Sequence, residues 1–406
     1  MKRFMVLWFL ISIGLTGIVT GQSTEPDFGI KFSGYVKTDV MFDSRQTVSA
    51  REGHFLLYPA AESLDPNGDD INAKANLNML AIQTRLKGTI TGPDAFGAKM
   101  GGLFEAAFFG HSNSDVNGFR LRHAFLTMKW ENNTLLIGQY WHPMFVPDCF
   151  PGTVSFNTGG PFQPFSRNPQ IRLTHTAGNL NVFVAAISQR DFTSTGPGGG
   201  SSAYLRNSVI PNMHLQVQVK NEKTIFGVGA DWKALTPRLS TPLGYKTTET
   251  VTGLSLIGYA RVNLPSLTWK VEGVYGQNLT DHLMLGGYGV ETIDENTGME
   301  TYCPTDIYSV WTDVSGGKKI GLGCFAGLTK NLGASKILLE TWGRGLNIDT
   351  MYRIAPRIIW NSGKTRFAVE CEYTATSYGT ADNKGKVLNA EFVNNLRLLV
   401  GAYYFF

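Results

Sequence analysis

Pairs of basic residues two positions apart recur in the sequence and could form a site for anions. Arg120 and Arg122 form one such pair, and Arg85 and Lys87 form another. Residues i and i+2 of a β-strand lie on the same face of a sheet, so each pair would present two cations to the same space. Guanidinium groups bind carboxylates in a bidentate fork. The pattern predicts binding of small anions, such as carboxylates, if these stretches are strands.

Motifs for enzymatic or cofactor chemistry are absent from the sequence. No HExxH, GxSxG, CxxC or Walker A pattern occurs, and the stretch GPGGG at residues 196–200 lacks the Lys and Ser/Thr of a phosphate-binding loop. The seven histidines do not fall at the spacings of metal ligands, so His123 and His142 are interpreted as strand or loop-base residues. We therefore expect no enzymatic activity, no cofactor and no metal.

The basic pairs must be positioned by strands, because period-two alternation of apolar and polar residues dominates the chain. In residues 211–220, for example, every second residue from Met213 onwards is apolar and the residues between are polar. About sixteen stretches show this alternation. They are 30–43, 78–90, 98–109, 118–130, 133–141, 170–176, 180–189, 210–220, 223–234, 249–263, 267–277, 306–315, 318–329, 349–361, 364–376 and 391–406.

The connections between these stretches alternate strictly between short turns and long loops. The eight long ones, numbered in chain order, are residues 44–77, 110–117, 142–169, 190–209, 235–249, 278–305, 330–348 and 377–390. Transmembrane barrels place short turns on the periplasmic side and long loops outside, with an apolar outer face and a polar lumen. Closure of the ring also removes the unpaired edges that lipid cannot solvate. The sequence therefore predicts an all-β fold, a closed antiparallel transmembrane barrel of about sixteen strands.

The two ends of the chain indicate export and membrane insertion. Residues 1–21 combine a basic start, an apolar run and small residues, which is typical of a signal peptide; an uncleaved anchor is the alternative. Residues 22–406 would then form a single barrel domain. The final strand ends in four aromatic residues, 403–406, which would join the aromatic girdle at the membrane interface. The small net charge of +4 gives no reason to expect nucleic-acid binding.

Several motifs make the chain resemble a Gram-negative outer-membrane porin, in particular the DcaP-like porins and related porins of Bacteroides-like bacteria. They are FSGYVKTDVMFDSR at residues 32–45, FRLRHAF at 119–125, LLIGQYW at 135–141 and the terminal Phe406. The resemblance implies an outer-membrane homotrimer of sixteen-stranded barrels, with the third long loop folded into the pore and Phe406 presented to the barrel-assembly machinery. The chain departs from DcaP-like proteins in lacking an N-terminal coiled-coil segment, so features that depend on that segment are not carried over.

A water-filled channel for small hydrophilic, preferably anionic, solutes is the function that these observations predict. The two basic pairs would form one wall of the pore, and the loop 142–169 would face them with Asp148 and Arg167 at its ends. Any single charge could instead be a paired structural group. The candidate pore-lining residues are Arg85, Lys87, Arg120, Arg122, Asp148, Arg167, Arg172, Arg353 and Arg357.

Two alternatives remain open at this stage. A closed barrel could display a surface receptor or adhesin without open-channel activity, with the loops 44–77 and 278–305 as its binding parts. An outer-membrane lipase or protease barrel is the enzymatic alternative, and the large number of strands disfavours it because those barrels are smaller.

The four cysteines face an oxidising compartment if the chain is exported. Cys324 and Cys371 fall on the thirteenth and fifteenth strands, about 9–10 Å apart at the strand spacing of ~4.8 Å, which is too far for a disulfide. Cys149 and Cys303 both lie in long loops on the same side of the membrane. If any disulfide forms, we expect it to join Cys149 to Cys303 and to hold the third loop.

Overall fold

Sixteen antiparallel strands form a closed ring in the computed structural model, which describes residues 28–406. The predicted signal peptide, residues 1–21, lies outside the described residues. The first strand is Gly29–Asp43, and the second is divided into Asn76–Leu80 and Arg85–Thr91. The third to sixteenth strands are Lys99–Ala107, Arg120–Lys129, Asn133–Trp141, Arg167–Ala177, Leu180–Ile187, Asn212–Lys220, Thr224–Leu235, Val251–Asn263, Leu267–Gln277, Glu300–Gly316, Ile320–Ala334, Ile348–Ser362, Thr365–Ala381 and Val387–Phe405.

Pairing between the first and last strands closes the ring. Their register runs from Tyr35 opposite Phe405 to Asp43 opposite Arg397. Arg397 forms a bidentate ion pair with the buried Asp43, with Nε–Oδ1 and Nη2–Oδ2 distances of 2.9 and 2.6 Å. Its Nη1 also donates to the carbonyl oxygen of Gly53 at 2.8 Å, which ties the first long loop to the seam. The predicted all-β barrel is confirmed.

The two faces of the wall have the polarity that a membrane barrel requires. On the eighth strand, Leu215 is 51% exposed on the outer face, whereas the neighbouring His214 and Gln216 face inward and are buried. Large exposed aromatic residues, including Trp269, Trp360 and Tyr404, lie near the short-turn ends of their strands. Apolar residues outside and polar residues inside suit lipid and a hydrated interior, respectively.

The ends of several strands differ from their predicted bounds on the long-loop side. The fifteenth strand continues to Ala381 and the sixteenth begins at Val387, so only residues 382–386 connect them, where the sequence predicted a long loop at 377–390. Backbone pairing continues there, with Ala381 opposite Val387. Period-two alternation marks contact with lipid, and hydrogen-bonded strands that project beyond the membrane do not need it.

The long loops contain short elements of their own. In the first loop Thr47–Ala50 pairs with Phe55–Pro59. The other loop elements are the 3₁₀ turns Ile71–Ala73 and Thr280–His282, the bridge Thr195–Gly196 with Gly199–Gly200, the helix Ala203–Asn207, and the strands Gly286–Ile293 and Glu340–Arg344. Among residues 28–406 no helix is long and apolar enough to cross a membrane.

The third long loop, residues 142–166, folds inward and packs inside the ring, as predicted. Four of its five phenylalanines are buried, and two of them, Phe156 and Phe165, contact Phe55 of the first loop at ring-centroid distances of 5.4 and 5.0 Å. Burial of the Phe side chains of this loop away from water stabilises the folded barrel. The loop's backbone groups then need partners, and wall side chains supply them: Ser309 Oγ donates to the carbonyl oxygen of Phe162 at 2.7 Å.

All four cysteines are free thiols, so the conditional Cys149–Cys303 disulfide does not form. Cys149 enters the barrel with the third loop, where its Sγ donates to the carbonyl oxygen of Ala260 at 3.2 Å. Cys303 lies in the outward extension of the twelfth strand, beside Ser335. Sequence alone could not show that the two loops run in different directions. Cys324 and Cys371 are also unlinked, as expected.

We expect four thiols per chain to react with a maleimide after unfolding without reductant. In the folded protein Cys324, which is exposed on the outer, lipid-facing side of the wall, should react with a maleimide that partitions into detergent, whereas Cys149 should be protected because it is buried and hydrogen-bonded. Peptide mass spectrometry after labelling measures each site separately. Labelling of Cys149 in the folded protein at the rate of Cys324, or a Cys149–Cys303 linked peptide, would contradict this arrangement.

Candidate pore site

Arginines from four different parts of the chain meet beside the third loop, and we call this group the arginine cluster. Arg120 and Arg122 come from the fourth strand, where two-residue spacing places both on the inner face. Arg85 begins the long segment of the second strand, and Arg167 begins the sixth strand directly after the third loop. Arg51 enters from the first loop. All but Arg85 are almost completely buried.

Two carboxylates form ion pairs with the four arginines that lie on strands. Glu105 accepts from Arg122 Nε at 2.5 Å and lies 3.9 Å from Arg85 Nη1. Asp191, from the fourth long loop, accepts from Arg167 Nε at 2.8 Å and also contacts Arg120. Charge-assisted pairs of this kind hold the guanidinium groups in fixed positions.

Arg51 adds a fifth positive charge without a carboxylate at ion-pair distance among residues 28–406. Its guanidinium carbon lies 4.6 Å from the ring centroid of Phe109 and 5.1 Å from that of Phe156. Burial lowers the pKa of Arg51 to about 10, so the group is still charged at neutral pH. Aromatic faces attract a cation without neutralising its charge. Arg51 therefore contributes its full positive charge to the cluster.

Several guanidinium nitrogens of the cluster point away from the paired carboxylates. Within the described part of the chain, both Nη atoms of Arg51 and the Nη1 atoms of Arg122 and Arg167 are buried and have no hydrogen-bond partner. Unpaired buried donors are costly. An anion, or ordered water that an anion can displace, would satisfy them.

Of the other predicted site residues, Lys87 borders the cluster, whereas Arg172 and Asp148 contact other groups. Lys87 is on the face of Arg85, half-buried and opposite Glu105 in the strand register. Arg172 donates from Nη2 to the carbonyl oxygen of Trp141 at 2.6 Å and so supports the base of the third loop. Asp148 forms an exposed ion pair with Lys220 at 2.8 Å.

Arg353 anchors two loops to the wall, and Arg357 joins two strands of the wall. Arg353 donates from Nη1 to Gly160 of the third loop at 2.8 Å and from Nη2 to Leu57 of the first loop at 2.7 Å, each at a carbonyl oxygen. Arg357 forms a bidentate pair with Asp313, with donor–acceptor distances of 2.7 and 3.0 Å. These two arginines are engaged with protein groups, whereas those of the cluster retain free donors.

Sequence reasoning missed two members of the site, Arg51 and Asp191. Both lie in long loops, where no periodicity indicates the direction of a side chain. A basic residue surrounded by Phe in three dimensions leaves no pattern in the sequence when the Phe residues come from other segments, as Phe109 and Phe156 do.

Comparisons with known proteins find similarity of structure only. No protein-family model and no curated protein matches the chain. The outer membrane channel DcaP of Acinetobacter baumannii superposes with a TM-score of 0.67 at 14% identity, covering 96% of this chain and 100% of the other. The trimer form of the outer membrane protein OmpT of Vibrio cholerae gives 0.55 at 11% identity, covering 94% and 100%. The anion-selective porin from Comamonas acidovorans gives 0.54 at 12% identity, also covering 94% and 100%. The chain therefore has the sixteen-stranded barrel fold of the outer-membrane porins, DcaP among them.

Proposed function

We propose that the protein is an outer-membrane channel for passive diffusion of small anionic solutes, with carboxylates as the preferred class. The observation that carries the proposal is the charge of the arginine cluster. Five guanidinium groups and two carboxylates, 5 − 2, leave a surplus of three positive charges in the cluster. Rings of Arg and Lys in a narrow passage favour anions, and a low-dielectric surrounding strengthens the effect.

The cluster suits a carboxylate better than a simple halide. Free Nη atoms on neighbouring arginines can donate in parallel to two oxygens of the same group. Their positions are fixed by Glu105 and Asp191 on one side and by aromatic rings on the other. A solute that passes would exchange its hydration shell for these donors without reorganising the wall.

Reversal potentials across a planar bilayer test the proposal. Purified protein in a salt gradient should give discrete open-channel steps and a reversal potential of the sign that indicates anion preference, and a dicarboxylate should reduce chloride current by competing for the cluster. Cation preference would overturn the proposed selectivity. A protein that inserts but gives no current steps would instead support the receptor or adhesin alternative.

The cellular setting is proposed with the function. A signal peptide at residues 1–21 would export the chain, the barrel-assembly machinery would recognise the terminal Phe406, and the barrel would sit in the outer-membrane lipid of a Gram-negative cell as a homotrimer. Phe406 exchanges backbone hydrogen bonds with Gly34 at 3.1 and 3.2 Å, so the proposed recognition segment is also the closing seam. We propose no enzymatic activity and no cofactor.

The anion preference should weaken as salt is raised. The screening length falls from ~10 Å at 0.1 M to ~3 Å at 1 M, so an ion in the passage experiences less of the cluster's field. We expect the anion-to-cation permeability ratio to be several-fold larger at 0.1 M than at 1 M. A ratio that is independent of salt would indicate selection by size instead of charge.

A further inference from the structure

A second group of side chains, unrelated to the arginine cluster, meets at the base of the third loop. His142 is the first residue of that loop, Asp231 lies on the inner face of the ninth strand, and His282 ends the 3₁₀ turn of the sixth long loop. All three are buried, and one potential ligand atom from each lies within 4.8 Å of the others. We call these residues the histidine–aspartate site.

The geometry of the histidine–aspartate site is close to that of a metal centre. In a tetrahedral site with metal–ligand bonds of about 2.0–2.1 Å, two ligand atoms are about 3.4 Å apart. His142 Nε2 and Asp231 Oδ1 are 3.4 Å apart. Small side-chain rotations would bring His282 to the same distance. Two imidazoles and a carboxylate are a donor set that Zn²⁺ and other divalent transition-metal ions bind.

Asp231 lacks a permanent cation. Among residues 28–406 no Lys or Arg lies within ion-pair distance of its carboxylate, and the imidazoles beside it are those of His142, with Nε2 at 3.4 Å, and of His214, with Nδ1 at 3.1 Å. A buried carboxylate needs a compensating positive charge. The nearby Lys233 is paired with a different carboxylate, Asp281. A divalent ion would therefore supply the positive charge that the Asp231 carboxylate lacks.

Two buried polar atoms of these side chains have no hydrogen-bond partner among the described residues. His282 Nε2 is buried without a hydrogen-bond partner in the described residues, while Ser166 Oγ lies 3.0 Å from its Nδ1 and orients the ring. The amide nitrogen of Asn212 lies 3.0 Å from His142 Nε2 and 3.0 Å from Asp231 Oδ2, and its amide oxygen has no partner in this part of the chain. Turning that amide over would place a carbonyl oxygen where a fourth ligand is needed.

Of the hydrogen bonds around the site, one orients Asp231 and another, at His142, would have to break on metal binding. His214 Nδ1 lies 3.1 Å from Asp231 Oδ1 and donates to it, because a carboxylate only accepts, and the other ring nitrogen, Nε2, lies 3.0 Å from Gln216 Oε1. Such outer partners fix the orientation of metal ligands. The backbone N–H of Met144 lies 3.2 Å from His142 Nδ1. Ligation through Nε2 requires a proton on Nδ1, so this long contact would open on metal binding.

We propose that His142, Asp231 and His282, with the amide oxygen of Asn212, bind one divalent transition-metal ion, of which Zn²⁺ is the representative. The ion would join the start of the third loop to the ninth strand and to the sixth loop. It would therefore hold the loop that carries Arg167 at its far end. The proposal does not depend on channel activity, because it concerns binding alone.

Metal titration of the untagged full chain in detergent tests the proposal. Protein stripped with EDTA should bind one Zn²⁺ per chain, measured by competition with a chromogenic chelator and by elemental analysis. Co²⁺ should give the visible absorption of a site with nitrogen and oxygen ligands, and Zn²⁺ should displace it. We expect His282→Gln and Asp231→Asn each to weaken Zn²⁺ binding by more than about 100-fold, since even changes beyond the ligands cost 10–100-fold.

The matched control is His175→Gln, because His175 is exposed on the sixth strand near a short turn. It should bind Zn²⁺ as the unsubstituted protein does. Absence of stoichiometric Zn²⁺ binding by the unsubstituted protein would overturn the proposal, as would equal binding by the His282→Gln variant. If a variant does not fold, the Co²⁺ spectrum of the unsubstituted protein decides: no spectrum that Zn²⁺ abolishes means no site.

Discussion

Replacing Arg120 and Arg122 together by glutamine is expected to lower the anion-to-cation permeability ratio by about tenfold, or ~1.4 kcal/mol of relative ion free energy. The double variant reduces the surplus charge of the arginine cluster from three to one. Glutamine retains N–H donors for Glu105 and Asp191, so the wall can keep its hydrogen bonds. Charge is the property that changes most, and the reversal potential in a salt gradient measures it directly.

Two further variants separate local charge from general effects. Lys99→Gln removes a cation from the same face of the third strand as Glu105, but at the exposed end near a short turn, and it should change the ratio little. Glu105→Gln removes a negative charge from the cluster and should preserve or increase anion preference. An Arg120→Gln, Arg122→Gln channel with unchanged selectivity would mean that these arginines do not face the path of the ions.

The barrel could be predicted from sequence because a membrane requires apolar and polar residues to alternate along each strand of the wall. Each wall strand alternates between lipid and interior, as Leu215 and Gln216 do, and lipid tolerates no unpaired edge. Alternation therefore gave the number and order of the strands. The same reasoning predicted that Arg120 and Arg122 share a face and lie near Arg85.

The partners of inward-facing charges could not be predicted in this way. Arg353 and Arg120 have the same sequence environment, a polar position in an alternating strand. The first binds loop carbonyls and the second lies in the cluster, because the path of the third loop decides which arginines it covers. Asp148 belongs to the same loop, and the path of that loop places it beside Lys220. Loop paths depend on packing among residues distant in sequence, and no periodicity records them.

The histidines illustrate the same limit. Spacing along the chain gave no reason to group His142 with His282, which lie in the third and sixth loops. The inward turn of the third loop brings them to ring-centroid contact at 4.5 Å. A metal site assembled from two loops and a strand is visible only when the topology of the barrel is known.

The position of the third loop relative to the wall should depend strongly on Glu370. Its two carboxylate oxygens accept from the backbone N–H groups of Val154 and Ser155 at 2.8 and 2.9 Å, and the side chain is buried on the fifteenth strand. Lys37 Nζ holds the same segment from the first strand, by donating to the carbonyl oxygen of Val154 at 2.9 Å. The backbone of the loop at Val154 is therefore held from two sides: Glu370 accepts from its N–H group, and Lys37 donates to its carbonyl oxygen.

Removing the acceptor with Glu370→Ala leaves two buried N–H groups without partners, which costs about 1–3 kcal/mol for each group. The loop can recover this loss by moving its backbone to water, away from the wall. We expect channels with larger and noisier current steps, and a lower temperature of unfolding in detergent. Glu370→Gln keeps one acceptor oxygen and should be intermediate, whereas Glu391→Ala removes an exposed carboxylate from the sixteenth strand and should match the unsubstituted protein. Since the loop's other anchors, such as Arg353, remain in all three variants, current steps of unchanged size in Glu370→Ala would show that those anchors alone set the width of the pore.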